Sequence, residues 1–252
     1  MNRLDRELPP ALAKSDRLRV AFFGGSFDPP HLGHLAVAKA AQTAFHLDTV
    51  FFAPVGAQPL KPEGHAASFE DRVAMTQLAI ANERGFAVSL ADAPKPDGQP
   101  NFTLETLQRV HAQLGKQCVL FCLMGADSYF GLSRWHRAAE IPFAAPLIVA
   151  SRPGERIDAL QDALPRGLTL TPVPDAPQSK SNVEVREFLI ANGAGENAPF
   201  YVLPDLYVEI SGTEIRRQIR DGTYESQTSS SALPKVLPEA VATYIRARGL
   251  YS

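Results

Sequence analysis

Gly24-Gly25-Ser26-Phe27-Asp28-Pro29-Pro30-His31-Leu32-Gly33-His34 follows the apolar run Arg19-Val20-Ala21-Phe22-Phe23 and leads into a helix-compatible stretch from Leu32 to Phe45. An apolar run stopped by two glycines, then a proline-containing loop, then helical periodicity predicts a strand, a loop and a helix. In doubly wound folds that junction is where ligands bind. Glycines let the backbone come close to a phosphate, and a helix N-terminus offers unpaired N–H groups and partial positive charge to an anion. His31 and His34, three apart, bring both imidazoles to roughly one side of the entering turn, with Gly33 leaving room between them. A triphosphate fits this arrangement. Taken singly, the pieces also suit surface histidines at a helix start and a plain glycine turn. Two histidines at this spacing also suit a metal, but no Cys, Glu or third His is spaced nearby to complete the site, so no protein-held metal is expected.

Outward from this segment the alternation continues. Thr49 to Ala53 repeats the strand pattern. Ser68-Phe69-Glu70-Asp71 has capping-box spacing, with Asp in the place of Glu, ahead of the periodic segment Val73 to Ala81. Phe86 to Ser89 reads as a weaker strand. Thr103 to Leu114 reads as a helix stopped by Gly115, and Gln117 to Met124 as a central strand. Pro146 to Ser151 and Leu168 to Thr171 read as strands on either side of a helix at Asp158 to Leu164. Helices are further expected at Val183 to Ile190, from about Thr213, and at Pro238 to Arg248. This order predicts an α/β, doubly wound, Rossmann-like parallel sheet with a small C-terminal helical subdomain. The expected division is a tail at 1–18, the main domain at 19–210 and the subdomain at 211–252. Pro172 to Pro199 reads as an insertion, and Thr223 to Ser231 as a second polar stretch.

The chain has 252 residues, 45% of them hydrophobic, enough for one large α/β domain with an appendage. Its 25 basic residues balance 27 acidic ones, which argues against broad attraction to nucleic acid polymers or anionic lipid. An anionic ligand must therefore be caught locally. Met1 to Arg19 contains no long apolar run and reads as a tail rather than a secretion signal, and no later stretch approaches a membrane span. The two cysteines, Cys118 and Cys122, sit in the apolar stretch ending at Leu123, as expected of reduced, buried thiols in a cytoplasmic protein.

The segment resembles the nucleotidyltransferase superfamily marked by a glycine-rich strand end and His-x-Gly-His, and most closely the bacterial nicotinate-nucleotide adenylyltransferases. A second marker of that family, Ile-Ser-x-Thr-x-Ile-Arg, is matched by Ile210-Ser211-Gly212-Thr213-Glu214-Ile215-Arg216. Gly125-Ala126-Asp127-Ser128, Trp135, Arg152-Pro153-Gly154, Leu237-Pro238-Glu239 and Gly249-Leu250-Tyr251 extend the likeness from Val20 to the end of the sequence. It departs from the family at three places. Gln58-Pro59-Leu60-Lys61 stands where the family has Pro-x-His-Lys, Asn101-Phe102-Thr103 where it has Ser-Tyr-Thr, and the stretch 172–199 is longer than expected.

The resemblance implies transfer of the adenylyl group of ATP, assisted by Mg²⁺, to nicotinate mononucleotide in NAD synthesis. It further implies that His31, His34 and Arg216 carry the chemistry. Gly24, Gly25, Ser26, Phe27, Gly33, Gly125, Asp127, Ser211 and Thr213 would hold ATP and its phosphates, and Lys61, Phe102, Thr103 and Trp135 the acceptor. Ser211 and Thr213 also suit plain helix capping, Asp127 a helix N-terminal charge, and Trp135 a core or lid aromatic. A homo-oligomer is compatible with the sequence. Sister transferases acting on phosphopantetheine or nicotinamide mononucleotide, or using a cytidylyl donor, share the phosphate motifs. A nucleotide sensor without turnover is the rival of another class.

Overall fold

Arg19 to Phe23 are all buried within β1 (Leu18–Gly25), so the chain's first strand is central rather than an edge. It appears in a computed structural model that describes residues 17–60, 64–151, 158–174, 183–204, 206, 211–226 and 236–252. After β1 come α1 (Leu32–Phe45), β2 (Thr49–Pro54), α2 (Phe69–Ile80), β3 (Phe86–Val88), α3 (Thr103–Leu114) and β4 (Cys118–Gly125). Next are α4 (Ala126–Phe130), two 3₁₀ turns at Leu132–Arg134 and Ala138–Glu140, α5 (Ile141–Ala144), β5 (Leu147–Ala150) and α6 (Asp158–Asp162). The remaining elements are β6 (Leu168–Pro172), β7 (Arg186–Asn192), β8 (Asn197–Leu203), α7 (Gly212–Arg220), α8 (Thr223–Ser226) and α9 (Glu239–Arg248).

The strands are ordered β3-β2-β1-β4-β5-β8-β7-β6. β1 pairs with β4, β4 with β5 and β5 with β8, all parallel. The order reverses direction at β1, as in a Rossmann-like, doubly wound sheet, whose ligands bind at the carboxyl ends of the strands. The caps expected from the sequence are present. The Ser68 hydroxyl accepts from the Asp71 backbone N–H at 3.0 Å at the start of α2, and Gly115 ends α3 with φ 73°. A side chain would be strained at that angle, so glycine is the fitting residue.

One expectation is corrected. Val183 to Ile190 is not helical: Arg186–Asn192 is β7, antiparallel to both β6 and β8, so the sheet is parallel only as far as β8. Phe188 and Ile190 are buried while Leu189 between them is exposed, the period of two that defines a strand. A short apolar run does not by itself separate helix from strand. The deciding signal was the following Asn192-Gly193-Ala194-Gly195 turn, in which the Asn192 side chain accepts from the N–H groups of Ala194 and Glu196 at 3.0 Å each.

The chain divides into two compact units, each discontinuous in sequence. The first holds the described residues up to Phe23, Val37–Val50 and Phe102–Tyr207; the second holds Gly24–Ala36, Phe51–Asn101 and the described part of Val208–Ser252. In the first, Phe45 packs against Tyr201 and Phe121, with ring centroids 5.0 and 5.7 Å away, and the Arg19 guanidinium lies over the Phe121 ring at 5.3 Å. Phe200 packs on Tyr129 and Phe188. In the second, Phe27, Phe52 and Phe86 form a continuous aromatic row with centroid separations of 5.5 and 5.4 Å. Among the described residues, no helix is long and apolar enough to cross a membrane. The tail at 1–16, Arg152-Pro153-Gly154, Ile210 and parts of both polar stretches lie outside the described residues.

Phe200 is fully buried at the crossing of β8, Tyr129 and Phe188, so Phe200→Ala is expected to cost about 3–5 kcal/mol of unfolding free energy in a denaturant titration.

Candidate active site

In the second unit the loop between β1 and α1 is held from several directions. Phe27 takes a left-handed conformation, φ 47°, which turns its ring back into the core, 1% exposed. A Cβ on Gly25 would lie 3.1 Å from that ring, so glycine lets the phenyl pack over the strand end. The Phe27 ring meets His34 edge-on at a centroid distance of 4.9 Å. His34 stacks on His31 at 3.7 Å, with 28° between the ring planes. The two histidines singled out in the sequence are therefore in contact, braced by the phenylalanine between them and the core.

Their protonation follows from this packing. The His31 backbone N–H donates to His34 Nδ1 at 3.2 Å, which places the proton of a neutral His34 on Nε2. Burial pushes His31 down to about 4. It also holds His34 well below its usual value, and the neighbouring His31 adds to the effect. The pair is thus neutral at neutral pH. The Nδ1 atom of His31 is buried and has no hydrogen-bond partner among the described residues, an orphan that a ligand oxygen would satisfy.

The loop backbone is tied to groups distant in sequence. Arg72, 1% exposed, donates from Nη1 to the Ser26 carbonyl at 2.8 Å and from Nη2 to the Val55 carbonyl at 2.7 Å. Asp28 accepts on Oδ2 from the Ala66 N–H at 2.7 Å, and on Oδ1 from the Ala67 N–H at 3.2 Å and the Tyr251 hydroxyl at 2.6 Å. Arg216 donates from Nη1 to the Asp28 carbonyl at 2.6 Å and from Nη2 to Thr213 Oγ1 at 3.2 Å. Two of its five donors are used in this way. This approach depends on Gly212, where a Cβ would lie 3.3 Å from the Asp28 carbonyl oxygen. Ser211 is the N-cap residue of α7, exposed and without a side-chain capping bond, so the plain capping role is not realised there. Ser26 is half-buried and donates to the Gln58 side chain at 3.3 Å. Gly24 is half-buried at the end of β1, and Gly33 is buried in the first turn of α1.

Asn101, which departs from the family's serine, is a hub. Its Oδ1 accepts from the Ala57 N–H at 3.3 Å and its Nδ2 donates to the Ala93 carbonyl at 3.1 Å. Its own N–H donates to the Ala57 carbonyl at 3.0 Å. The loop after β2 is thereby fixed to the segment leading to α3.

In the first unit, Phe102 is the N-cap residue of α3 and Thr103 its first residue, both half-buried. The Phe102 ring lies against His136 at 4.4 Å, which joins this segment to that of Trp135, half-buried at the end of a 3₁₀ turn. Gly125 ends β4, and Asp127 is exposed in the first turn of α4. Lys61 lies outside the described residues. Sequence reasoning assigned no role to Asp28, Arg72, Asn101, His136 or Tyr251. For Arg72 a signal existed: it shares the helical stripe of Met75, Thr76 and Ala79, all buried, where a charge needs a special partner.

The family described as cytidylyltransferase-like matches residues 22–218. A relative in Gloeobacter violaceus named "Probable nicotinate-nucleotide adenylyltransferase" is 35% identical over 92% of this chain and 96% of its own length. One of the same name in Thermus thermophilus is 32% identical over 93% of this chain and 100% of its own. Among solved structures, the Plasmodium falciparum nicotinic acid mononucleotide adenylyltransferase complexed with NaAD superposes with a TM-score of 0.61 at 13% identity, covering 93% of this chain and 97% of that one. That likeness concerns the fold.

A histidine neutral when folded and free to charge when unfolded binds fewer protons in the native state. Its contribution to stability is whole above about pH 6.5, the ordinary histidine value, and is lost as pH falls toward about 4, where His31 itself titrates. The expected result is a thermal midpoint that falls through this window, less steeply in His31→Asn, with the His31 resonances titrating near pH 4 in an NMR series.

Proposed function

We propose that this chain, which belongs to the cytidylyltransferase-like family and within it to the nicotinate-nucleotide adenylyltransferases, transfers the adenylyl group of ATP to nicotinate mononucleotide, giving nicotinate adenine dinucleotide and pyrophosphate for NAD synthesis. The observation that carries the mechanism is the stacked, neutral His31–His34 pair on a braced, glycine-rich loop.

An oxygen of the acceptor's 5′-phosphate forms the new bond to the α-phosphorus of ATP, and the bond from that phosphorus to the bridging oxygen breaks as pyrophosphate leaves. Such transfer needs placement and charge stabilisation more than covalent help from the protein. The Nε2–H of His34 and the orphan Nδ1 of His31, carrying a proton, supply neutral donors to the phosphate oxygens on which charge builds. Gly24, Gly25 and Gly33 keep the backbone open to the phosphates, with Ser26 and Phe27 beside the nucleotide. The Arg216 donors that no described residue engages, with the Ser211 and Thr213 hydroxyls, hold the leaving phosphates. Gly125 gives the chain room after β4, and Asp127 accepts from a ribose hydroxyl. Trp135 stacks on the pyridine ring, Phe102 and Thr103 flank its carboxylate, and Lys61 serves the acceptor's charge. His136, in contact with Phe102, joins this group.

The residues suit a Mg²⁺ ion carried by the nucleotide rather than held by protein. Asp28, the one carboxylate of the loop, already accepts three hydrogen bonds, and among the described residues no cluster of three or more His, Cys, Asp and Glu is gathered for a metal. Phosphate oxygens and water would hold it, as is usual for this ion. When bound it neutralises phosphate charge. The enzyme would work in the cytoplasm, an assignment supported by its buried free cysteines, and a homo-oligomer is compatible with it.

Pyrophosphate release with ATP and Mg²⁺ should be fastest with nicotinate mononucleotide when nicotinamide mononucleotide and phosphopantetheine are offered in parallel. Turnover with only another acceptor would overturn the substrate assignment. His34→Ala should lower kcat roughly 10²- to 10³-fold, as for other lost transition-state donors. Trp135→Ala should chiefly raise KM for the acceptor, because stacking acts in ground and transition states alike.

A further inference from the structure

Tyr251 lies 223 residues beyond Asp28 in the chain, yet its hydroxyl makes the shortest of the three hydrogen bonds to that carboxylate, at 2.6 Å. Its placement is built into the fold. α9 ends at Gly249 with φ 59°, and the Leu250 N–H returns to the Ile245 carbonyl at 3.0 Å. This turn, followed by φ 69° at Tyr251 itself, directs the tyrosine back toward the loop after β1. α9 is fixed in turn to the start of α2: the Tyr244 hydroxyl and Arg248 Nε both donate to Asp71 Oδ1, at 2.8 and 3.2 Å. Burial, with Asp28 as a second cause, raises the Tyr251 hydroxyl far above its ordinary range, so it remains a donor at any working pH.

We infer that Tyr251 is a positioning residue for adenylyl transfer, acting through the Asp28 carboxylate to set the shape of the loop that carries His31 and His34. The backbone carbonyl of Asp28 is the acceptor for Arg216, so one residue links Tyr251, the arginine of the second motif and the histidine loop. Without the hydroxyl the carboxylate keeps the Ala66 N–H on Oδ2 at 2.7 Å and the Ala67 N–H on Oδ1 at 3.2 Å, but loses its shortest bond and its tie to the C-terminal segment. The loop would then sample geometries that misplace the histidines against the triphosphate. Among the described residues, the Tyr251 hydroxyl and the N–H groups of Ala66 and Ala67 bond the carboxylate, Arg72 is the cation it acts on, and Arg216 lies against the backbone carbonyl of the same residue.

Tyr251→Phe keeps the ring and removes only the hydroxyl. It is expected to lower kcat/KM for ATP about tenfold, as small misplacements near a reacting centre do, while KM for the acceptor stays within about twofold of wild type. Tyr244→Phe removes a hydroxyl on α9 that bonds Asp71 rather than Asp28 and leaves Arg248 to tie the helix to α2, so it is the control: it should lower the thermal midpoint and leave ATP kinetics unchanged. In a double-mutant cycle, Tyr251→Phe and Asp28→Asn should be strongly non-additive. The kinetic readout rests on the adenylyl-transfer assignment, so calorimetric binding of a non-hydrolysable ATP analogue is measured alongside. Weaker binding in Tyr251→Phe supports the positioning role even if turnover with nicotinate mononucleotide fails. Equal kinetics and equal analogue binding in Tyr251→Phe and Tyr244→Phe, with a lowered midpoint in both, would overturn it.

Discussion

Arg72 is a guanidinium carried on a helix into a nearly water-free place, where it donates to the carbonyls of Ser26 and Val55. A buried cation is costly unless its donors are used and a counter-charge lies close. The carboxylate of Asp28 is that counter-charge, and it is in turn held by Tyr251 and two backbone N–H groups. Each charge offsets part of the cost of burying the other, and the bonds to Ser26 and Asp28 give the loop from Gly24 to His34 a preferred shape before any ligand arrives. The Ser26 carbonyl that Arg72 binds is one that the glycine-rich loop would otherwise leave unsatisfied.

A fixed loop matters because phosphoryl chemistry is accelerated by donors that need no reorganisation at the moment of reaction. His31 and His34 illustrate this. Stacking and burial keep them neutral, and the His31 backbone N–H selects the His34 tautomer. The local structure therefore presents donors without the repulsion of two adjacent imidazolium ions. In the other unit, contact between Phe102 and His136 gathers the aromatic groups proposed for the acceptor.

The parallel core and its helices were legible because strand and helix periods, the Ser68 cap and the Gly115 stop are local signals. The antiparallel β6–β7–β8 part was not, because Val183 to Ile190, with apolar residues at 183, 185 and 188–190, suits either period until its turn is taken into account. The loop histidines were singled out by their place between strand and helix together with the family resemblance. The groups that brace them were not: Arg72 reaches Ser26 across 46 residues, Asn101 reaches Ala57 across 44 and Tyr251 reaches Asp28 across 223, and no periodicity encodes those pairings. Arg216 shows the mixed case. Its motif position marked it for phosphate, while its bond to the Asp28 carbonyl could be seen only in the folded chain.

The most direct measurement is a crystal structure of the protein with a non-hydrolysable ATP analogue and Mg²⁺. Phosphate oxygens within hydrogen-bonding distance of His31 Nδ1 and His34 Nε2, with the Asp28–Tyr251 bond intact, are the expected result. A nucleotide bound with its phosphates away from both histidines, or a loop that abandons the Asp28 brace to receive it, would contradict the account.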